Sequence, residues 1–255
     1  MDKFIQKIAK TAGAAVIKKF GKVGVHHMKS DHAWDCVTEA DLLSDKIIVS
    51  AIRKKYPEHG IISEESGRVN DEAEYLWIID PVDGTLNFVK EIPLFGVMIA
   101  LVHNGEVILT VINLPATREL FFAKAGKGAF LNGKRIQCSQ IRTLDNSFGT
   151  GSSNMGSRTA KFVRRIMDAG KVQRIQLGSF GSMAVNAAYV AAGRRDWMVP
   201  MMGQLHDFAP IALLLKEAGC KITDTKGNPW KFGQLEMVAA NPVLHKQLLK
   251  LTKNV

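Results

Sequence analysis

No apolar run in the chain approaches the roughly 18 residues that a membrane-spanning helix requires, so a membrane partner is not expected. Cysteine is scarce. Cys36, Cys138 and Cys220 are odd in number, far apart and free of metal-type spacing, which excludes a disulfide framework and makes a reducing cytoplasmic setting the expectation. Internal repeats and low-complexity linkers are missing too, so neither a solenoid nor a string of independent modules is expected. The opening stretch, MDKFIQKIAKTAGAAVIKKF, has lysines throughout and no continuous apolar segment; it does not read as a secretory signal. Acids are outnumbered, with 24 Asp and Glu against 34 Lys and Arg, for a net charge of +10. The basic residues are nevertheless dispersed, in short local clusters such as Lys18-Lys19, Lys54-Lys55 and Arg164-Arg165, and no basic stripe is interleaved with aromatics. That pattern favours a solvated surface mildly attractive to anions, and leaves nucleic acid open as a partner without favouring it.

What is present is an ordinary globular composition, 46% hydrophobic and 23% charged over 255 residues, enough for one large domain or two fused halves. Apolar residues at helical spacing (Phe4, Ile5, Ile8, Ala12, Ala15, Val16) predict a first helix near 2–20. A second is expected near 39–55, opened by a capping box of Thr38 and Asp41. From Leu76 to Cys138 the pattern becomes that of antiparallel strands, with hairpin turns at Asn104-Gly105 and Asn132-Gly133. Beyond about residue 145, helices alternate with strands: SRTAKFVRRIMDAG, GSMAVNAAYVAAG, DFAPIALLLKEAG and NPVLHKQLLKLT read as helices, and VQRIQL, RDWMVP, CKITD and LEMVAA as strands. The expected architecture is α+β, with an antiparallel-rich half over 1–144 and an alternating α/β half over 145–255, packed as one functional unit.

The stretch WIIDPVDGTLNF raises the question of chemistry. An apolar strand, Leu76 to Ile79, runs into Asp80, and Pro81 holds Asp80 extended while Val82 and Asp83 are expected to turn over the strand end. Two carboxylates and the Val82 carbonyl could then face one point, an oxygen-only donor set suited to Mg²⁺. Gly84 permits close approach, and the amides after it suit a phosphate. A surface turn explains the same residues equally well. Glu64 and Glu65 end another short apolar run and read either as ligands or as a solvated turn. Asp207 is expected to open a helix, as N-cap or as ligand, with Pro210 in the first turn; Asp41 reads as a helix cap before anything else.

Together, SEES, WIIDPVDGTLNFVKEIP and GSMAVNAAYVAAGRRDW…HDFAP…EAG resemble the inositol monophosphatase family of Mg²⁺-dependent, lithium-sensitive sugar-phosphate phosphatases. Residues 77–88 fit that family's first signature, W-x-x-D-P-[IVL]-D-G-T-x-N-F, throughout, and the similarity runs from KSDHAWDCVTEAD to EAGCKITDTKGNPW. The resemblance implies a layered α/β/α/β/α sandwich, a homodimer, and two or three Mg²⁺ ions. It implies that Glu64, Asp80 and the Val82 carbonyl hold one ion, that Asp80, Asp83 and Asp207 hold another, and that Asp41 lies in the outer shell of a weaker third at Glu64. Thr85 and Glu64 would orient a metal-activated water for in-line attack on a small phosphorylated polyol. Asp83, Gly84, Thr85 and Asp207, together with Gly181, Ser182 and Met183, would contact the substrate; the last three read equally as a packed helix start.

The resemblance has departures. Pro200 stands where many members carry a glutamate that binds a sugar hydroxyl, His206 where Trp is usual, and Pro210 where Gly is common. The metal residues are unaffected, but the leaving group is left open. Inositol monophosphate is the first expectation. The alternatives are histidinol phosphate, fructose bisphosphate or a phosphoadenosine nucleotide, or a phosphatase fold that serves RNA or a transcription complex.

Overall fold

The structure is a computed structural model that describes residues 1–28, 36–151, 156–172 and 174–253. In chain order, α1 (Asp2–Lys19) is followed by a short ribbon of β1 (Val25–Met28) and β2 (Cys36–Thr38), and then by α2 (Glu39–Lys55). The next strands are β3 (Gly60–Ser63), β4 (Gly67–Val69) and β5 (Tyr75–Asp83), followed by a one-turn helix, α3 (Thr85–Val89). Then come β6 (Gly96–His103), β7 (Glu106–Leu114), β8 (Glu119–Lys124), β9 (Gly128–Leu131) and β10 (Lys134–Ile136). The remainder is β11 (Phe148–Gly151), α4 (Ser157–Gly170), β12 (Gln176–Leu177), α5 (Met183–Ala191), β13 (Trp197–Val199), α6 (Leu205–Glu217), β14 (Lys221–Thr223), β15 (Val238–Ala240) and α7 (Pro242–Thr252).

Eight strands form one sheet in the order β10-β9-β8-β7-β6-β5-β3-β4, and five form a second in the order β12-β11-β13-β15-β14. The first is antiparallel except where β3 runs parallel to β5. Asn104 and Asn132, both at positive φ before a glycine, make its hairpin turns where the sequence places them. Along β5, Trp77 and Ile79 pack on one face with Ile5, Ile8 and Ile48 of α1 and α2, while Leu76 and Ile78 pack on the other with Ala209 of α6. The far side of α5 and α6 meets Met198 and Ala239 of the second sheet, whose outer face is covered by Phe162 of α4 and Leu244 and Leu248 of α7. The layers are therefore α/β/α/β/α, the sandwich expected from the sequence.

Some boundaries differ. The strand expected to finish at Asp80 continues through Asp83, because an irregularity between these residues absorbs the bend that Pro81 imposes. The helix expected to begin at Asp207 begins at Leu205: Gln204 is its N-cap and Asp207 its third residue. Pro210 accordingly sits in the second turn, with its carbonyl accepting from the Thr110 hydroxyl at 2.8 Å. The strands of the second sheet are two to three residues long where five or six were expected, except β11 at four.

Candidate metal centre and active site

Two features of the first sheet build the site. First, β3 and β5 are parallel and in register, Ser63 opposite Ile79, so the residues that follow, Glu64 and Asp80, emerge side by side. Second, β5 carries one extra residue against β6: Asp80 pairs with Met98 and Asp83 with Gly96. Side chains alternate along a strand, and residues three apart normally face opposite ways. The extra residue cancels that alternation and turns Asp83 to the same face as Asp80, toward α5 and α6.

Asp83 meets the start of α5. Its Oδ2 accepts from the Ser182 hydroxyl and from the Ala184 amide at 2.9 Å, and its Oδ1 accepts from the Met183 amide at 2.9 Å. The approach is close because Gly96 faces α5; a Cβ there would stand 2.9 Å from that of Ala184. Gly84 follows at φ 85°, a left-handed conformation, and a Cβ would come within 2.9 Å of the Leu94 carbonyl. It caps α3, whose first-turn amides have no intrahelical acceptors.

Three side chains on one face of α2 support the same region. Asp41 closes the expected capping box with Thr38, and its Oδ1 lies 3.1 Å from the Thr85 hydroxyl, which also lies 2.9 Å from the Val82 carbonyl. The Ser44 hydroxyl donates to the Pro81 carbonyl at 2.8 Å. Asp45 accepts from the Ser63 and Ser66 hydroxyls, which bracket Glu64 and Glu65. Neither Ser44 nor Asp45 emerges from the motifs. The available signal is that 41, 44 and 45 are polar at the helical spacing that Ile48 and Ile52 continue as core.

α6 supplies the remaining groups from its first turn. One ligand atom from each of Asp80, Asp83 and Asp207 lies within 4.8 Å of the others, and the same holds for Glu64, Asp80 and His206. His206 is the residue that the sequence reading marked as a departure without assigning it a role. Gly181 is exposed, whereas Ser182 is buried and directed at Asp83. Pro200 is buried, with its carbonyl accepting from the Met237 amide at 2.9 Å, and it offers no side-chain polar group.

The electrostatics are those of a site short of positive charge. Asp80, 2% exposed, has its carboxyl held well above the usual range, first by burial and then by repulsion from Glu64, Asp83, Asp207 and Asp41. Its Oδ1 is buried with no hydrogen-bond partner. Burial pushes Asp83 to about 6 although Ser182, Ala184 and Met183 all donate to it and pull the other way. Asp41 is raised, again by burial, against the hydrogen bonds from Thr38 and Thr85. A partnerless buried carboxylate oxygen among acids, with oxygen donors around it, is what a hard dication would satisfy, so the residues present fit Mg²⁺.

A five-layer sandwich with an acidic cluster at the ends of two parallel strands is of the sugar-phosphatase type. A model of the inositol monophosphatase family matches residues 1–255, and the chain belongs to that family. It is 36% identical over 252 residues to the fructose-1,6-bisphosphatase/inositol-1-monophosphatase of Thermotoga maritima, covering 99% of this chain and 95% of that one. It is 35% identical over 245 residues to the Nus factor SuhB of Escherichia coli K12, covering 95% and 92%. Among solved structures, the extragenic suppressor protein suhB of Bartonella henselae superposes with a TM-score of 0.90 at 32% identity, covering 99% and 98%. Among the described residues, no helix is long and apolar enough to cross a membrane.

Proposed function

We propose that this protein hydrolyses a small sugar or polyol phosphate monoester, inositol monophosphate first, with Mg²⁺ held by Glu64, Asp80, the Val82 carbonyl, Asp83 and Asp207. The observation that carries the reading is the partnerless, buried Asp80 Oδ1 inside a cluster of carboxylates. The Thermotoga relative, named a fructose-1,6-bisphosphatase/inositol-1-monophosphatase, supports the substrate class.

When bound, Mg²⁺ supplies the positive charge that lets the carboxylates ionise together and that offsets charge gathering on the phosphoryl and leaving oxygens. The chain's own residues do the positioning. The amides of Gly84, the N-cap of α3, and of Thr85, its first residue, would donate to a phosphate. The Thr85 hydroxyl gives its one proton to Asp41 or to the Val82 carbonyl. Its oxygen lone pairs then accept a hydrogen bond from the attacking water and aim it. Asp41, anchored to Thr38, keeps Thr85 in that rotamer, and Glu64 would orient the same water. Ser182 and the α5 amides hold Asp83 rigid. With Pro200 apolar and buried, the leaving group lacks a carboxylate partner at that position, which broadens the substrates accepted beyond inositol.

The test is phosphate release over a panel of inositol, fructose, histidinol and phosphoadenosine monoesters with Mg²⁺, with and without chelator. Chelator-sensitive release from a polyol or sugar phosphate is expected; no release from any member sinks the reading. A second reading, service to a transcription complex, has its own support in the 35% identity to Nus factor SuhB and in the +10 charge. Salt-sensitive RNA binding that survives Asp83→Asn would favour it.

A further inference from the structure

We propose that His206 is a metal ligand, closing with Glu64 and Asp80 a mixed nitrogen–oxygen site that prefers a first-row transition-metal dication to Mg²⁺. The inference rests on the metal-dependent reading above and goes beyond it in separating the two halves of the cluster by chemistry. Asp80 belongs to both donor sets. On one side it meets Asp83 and Asp207, all oxygen; on the other it meets Glu64 and His206, where an imidazole nitrogen replaces a carboxylate oxygen.

The geometry suits shared ligation. His206 Nε2 lies 3.8 Å from Glu64 Oε2. Two donors on one ion, each about 2.1 Å away, stand about 3.0 Å apart when adjacent and about 4.2 Å apart when opposite. The side chains are 14% and 25% exposed, enough for an ion to enter and too little for either to be a freely solvated surface group. The third member is the orphan: Asp80 is 2% exposed and its Oδ1 has no partner, so a buried acceptor already waits at the site. His206 is also held on a rigid element. It is the second residue of α6, in a turn fixed by the Asp207 carboxylate accepting from the Gln204 amide at 2.6 Å.

Selectivity follows from the donor set. Mg²⁺ takes oxygen ligands and keeps water, whereas imidazole binds transition ions increasingly well along the Irving–Williams order. An all-oxygen site beside a nitrogen-bearing one therefore sorts two kinds of ion within one cluster.

Mn²⁺ is the probe, because it is paramagnetic and accepts both donor types. The whole protein, stripped of metal and loaded with Mn²⁺, is expected to show ¹⁴N modulation in pulsed electron spin echo spectra, and His206→Asn is expected to abolish it. Titration calorimetry should show Mn²⁺ binding weakened about tenfold or more by His206→Asn, a loss seen even for groups that only support a ligand. Mg²⁺ binding should change less, so that the preference for Mn²⁺ narrows. Bound Mn²⁺ without ¹⁴N modulation in the wild type overturns the inference, leaves His206 as a neighbour of Glu64, and leaves the phosphatase reading standing. Modulation that persists in His206→Asn overturns it by assigning the nitrogen elsewhere. If the wild type binds no Mn²⁺ and Asp80→Asn changes nothing, both readings fall.

Discussion

Asp80 and Asp83 hold a conflict that the folded chain alone does not resolve. Asp83 has a carboxyl raised to about 6 from an ordinary 3.8, so the metal-free fold favours its neutral form more than the unfolded chain does. A raised carboxyl stabilises the fold below its unfolded value and loses that contribution as pH climbs through the folded one. Two pH units correspond to roughly 3 kcal/mol, and Asp80 shifts in the same direction. Chelated protein should therefore lose melting temperature as pH rises from about 4 to 7, by several degrees, and added Mg²⁺ should restore it only toward neutral pH. A melting series at fixed ionic strength measures both arms, and a chelated protein most stable at pH 7 would refute the assignment. Asp80→Asn separates stability from function. It should raise the melting temperature of the chelated protein by removing a repelling charge, erase the Mg²⁺-dependent shift, and lower kcat by about a thousandfold or more.

α2 shows how much of a site can hang on one helix face. Asp41, Ser44 and Asp45 reach Thr85, the Pro81 carbonyl and the Ser63–Ser66 turn, three separate segments of the sheet edge. Asp45→Ala should leave the metal ligands in place but release the turn that carries Glu64. The expected result is a half-saturating Mg²⁺ concentration raised about tenfold, with most activity returning at excess Mg²⁺; a metal titration of activity checks it, and unchanged Mg²⁺ dependence counts against it. Elements of this kind explain what the sequence disclosed and what it withheld. The Asn-Gly hairpins, the helix periods and the capping box at Thr38 are local codes, written within a few residues, and they were legible. The register of β5 against β6 depends on a partner strand, and nothing in DPVD states that a residue is extra. The start of α6 was misplaced because Asp207 and Gln204 both suit a helix terminus. Only the fold shows that Asp207 accepts the Gln204 amide as the third helical residue. His206 was visible as an oddity and became a candidate ligand only when α6 set it beside Glu64.

At the scale of the whole molecule, charge separates by location. The site gathers Asp41, Glu64, Asp80, Asp83 and Asp207 in one place, while α1 exposes Lys3, Lys7, Lys10 and Lys18, and α2 exposes Lys46, Arg53, Lys54 and Lys55. Eight basic residues thus lie on this outer layer, and Lys19 of α1 pairs across to Glu39 of α2 at 3.0 Å. On the proposed function, a net +10 would draw the phosphorylated substrate from a distance and do little once it has docked. Raising salt from about 50 to 300 mM, which shortens the screening length to well under 10 Å, should raise KM several-fold and leave kcat within about twofold. Initial-rate kinetics at matched Mg²⁺ test this, and a salt-independent KM would assign the charge to some other partner.

The extra residue in β5 also decides which genetic changes this site can survive. Substitutions at Pro81 or Val82 alter packing, and the chain can compensate them one neighbour at a time. Loss of a single codon there is different in kind. Every acid would remain in the gene, and Asp83, then two residues after Asp80 in a regular strand, would keep its face; yet the irregularity that brings the Pro81 carbonyl to Ser44 and the Val82 carbonyl to Thr85 would be gone. The site is thus written as much in a count of residues as in their identities, and a count admits no conservative replacement.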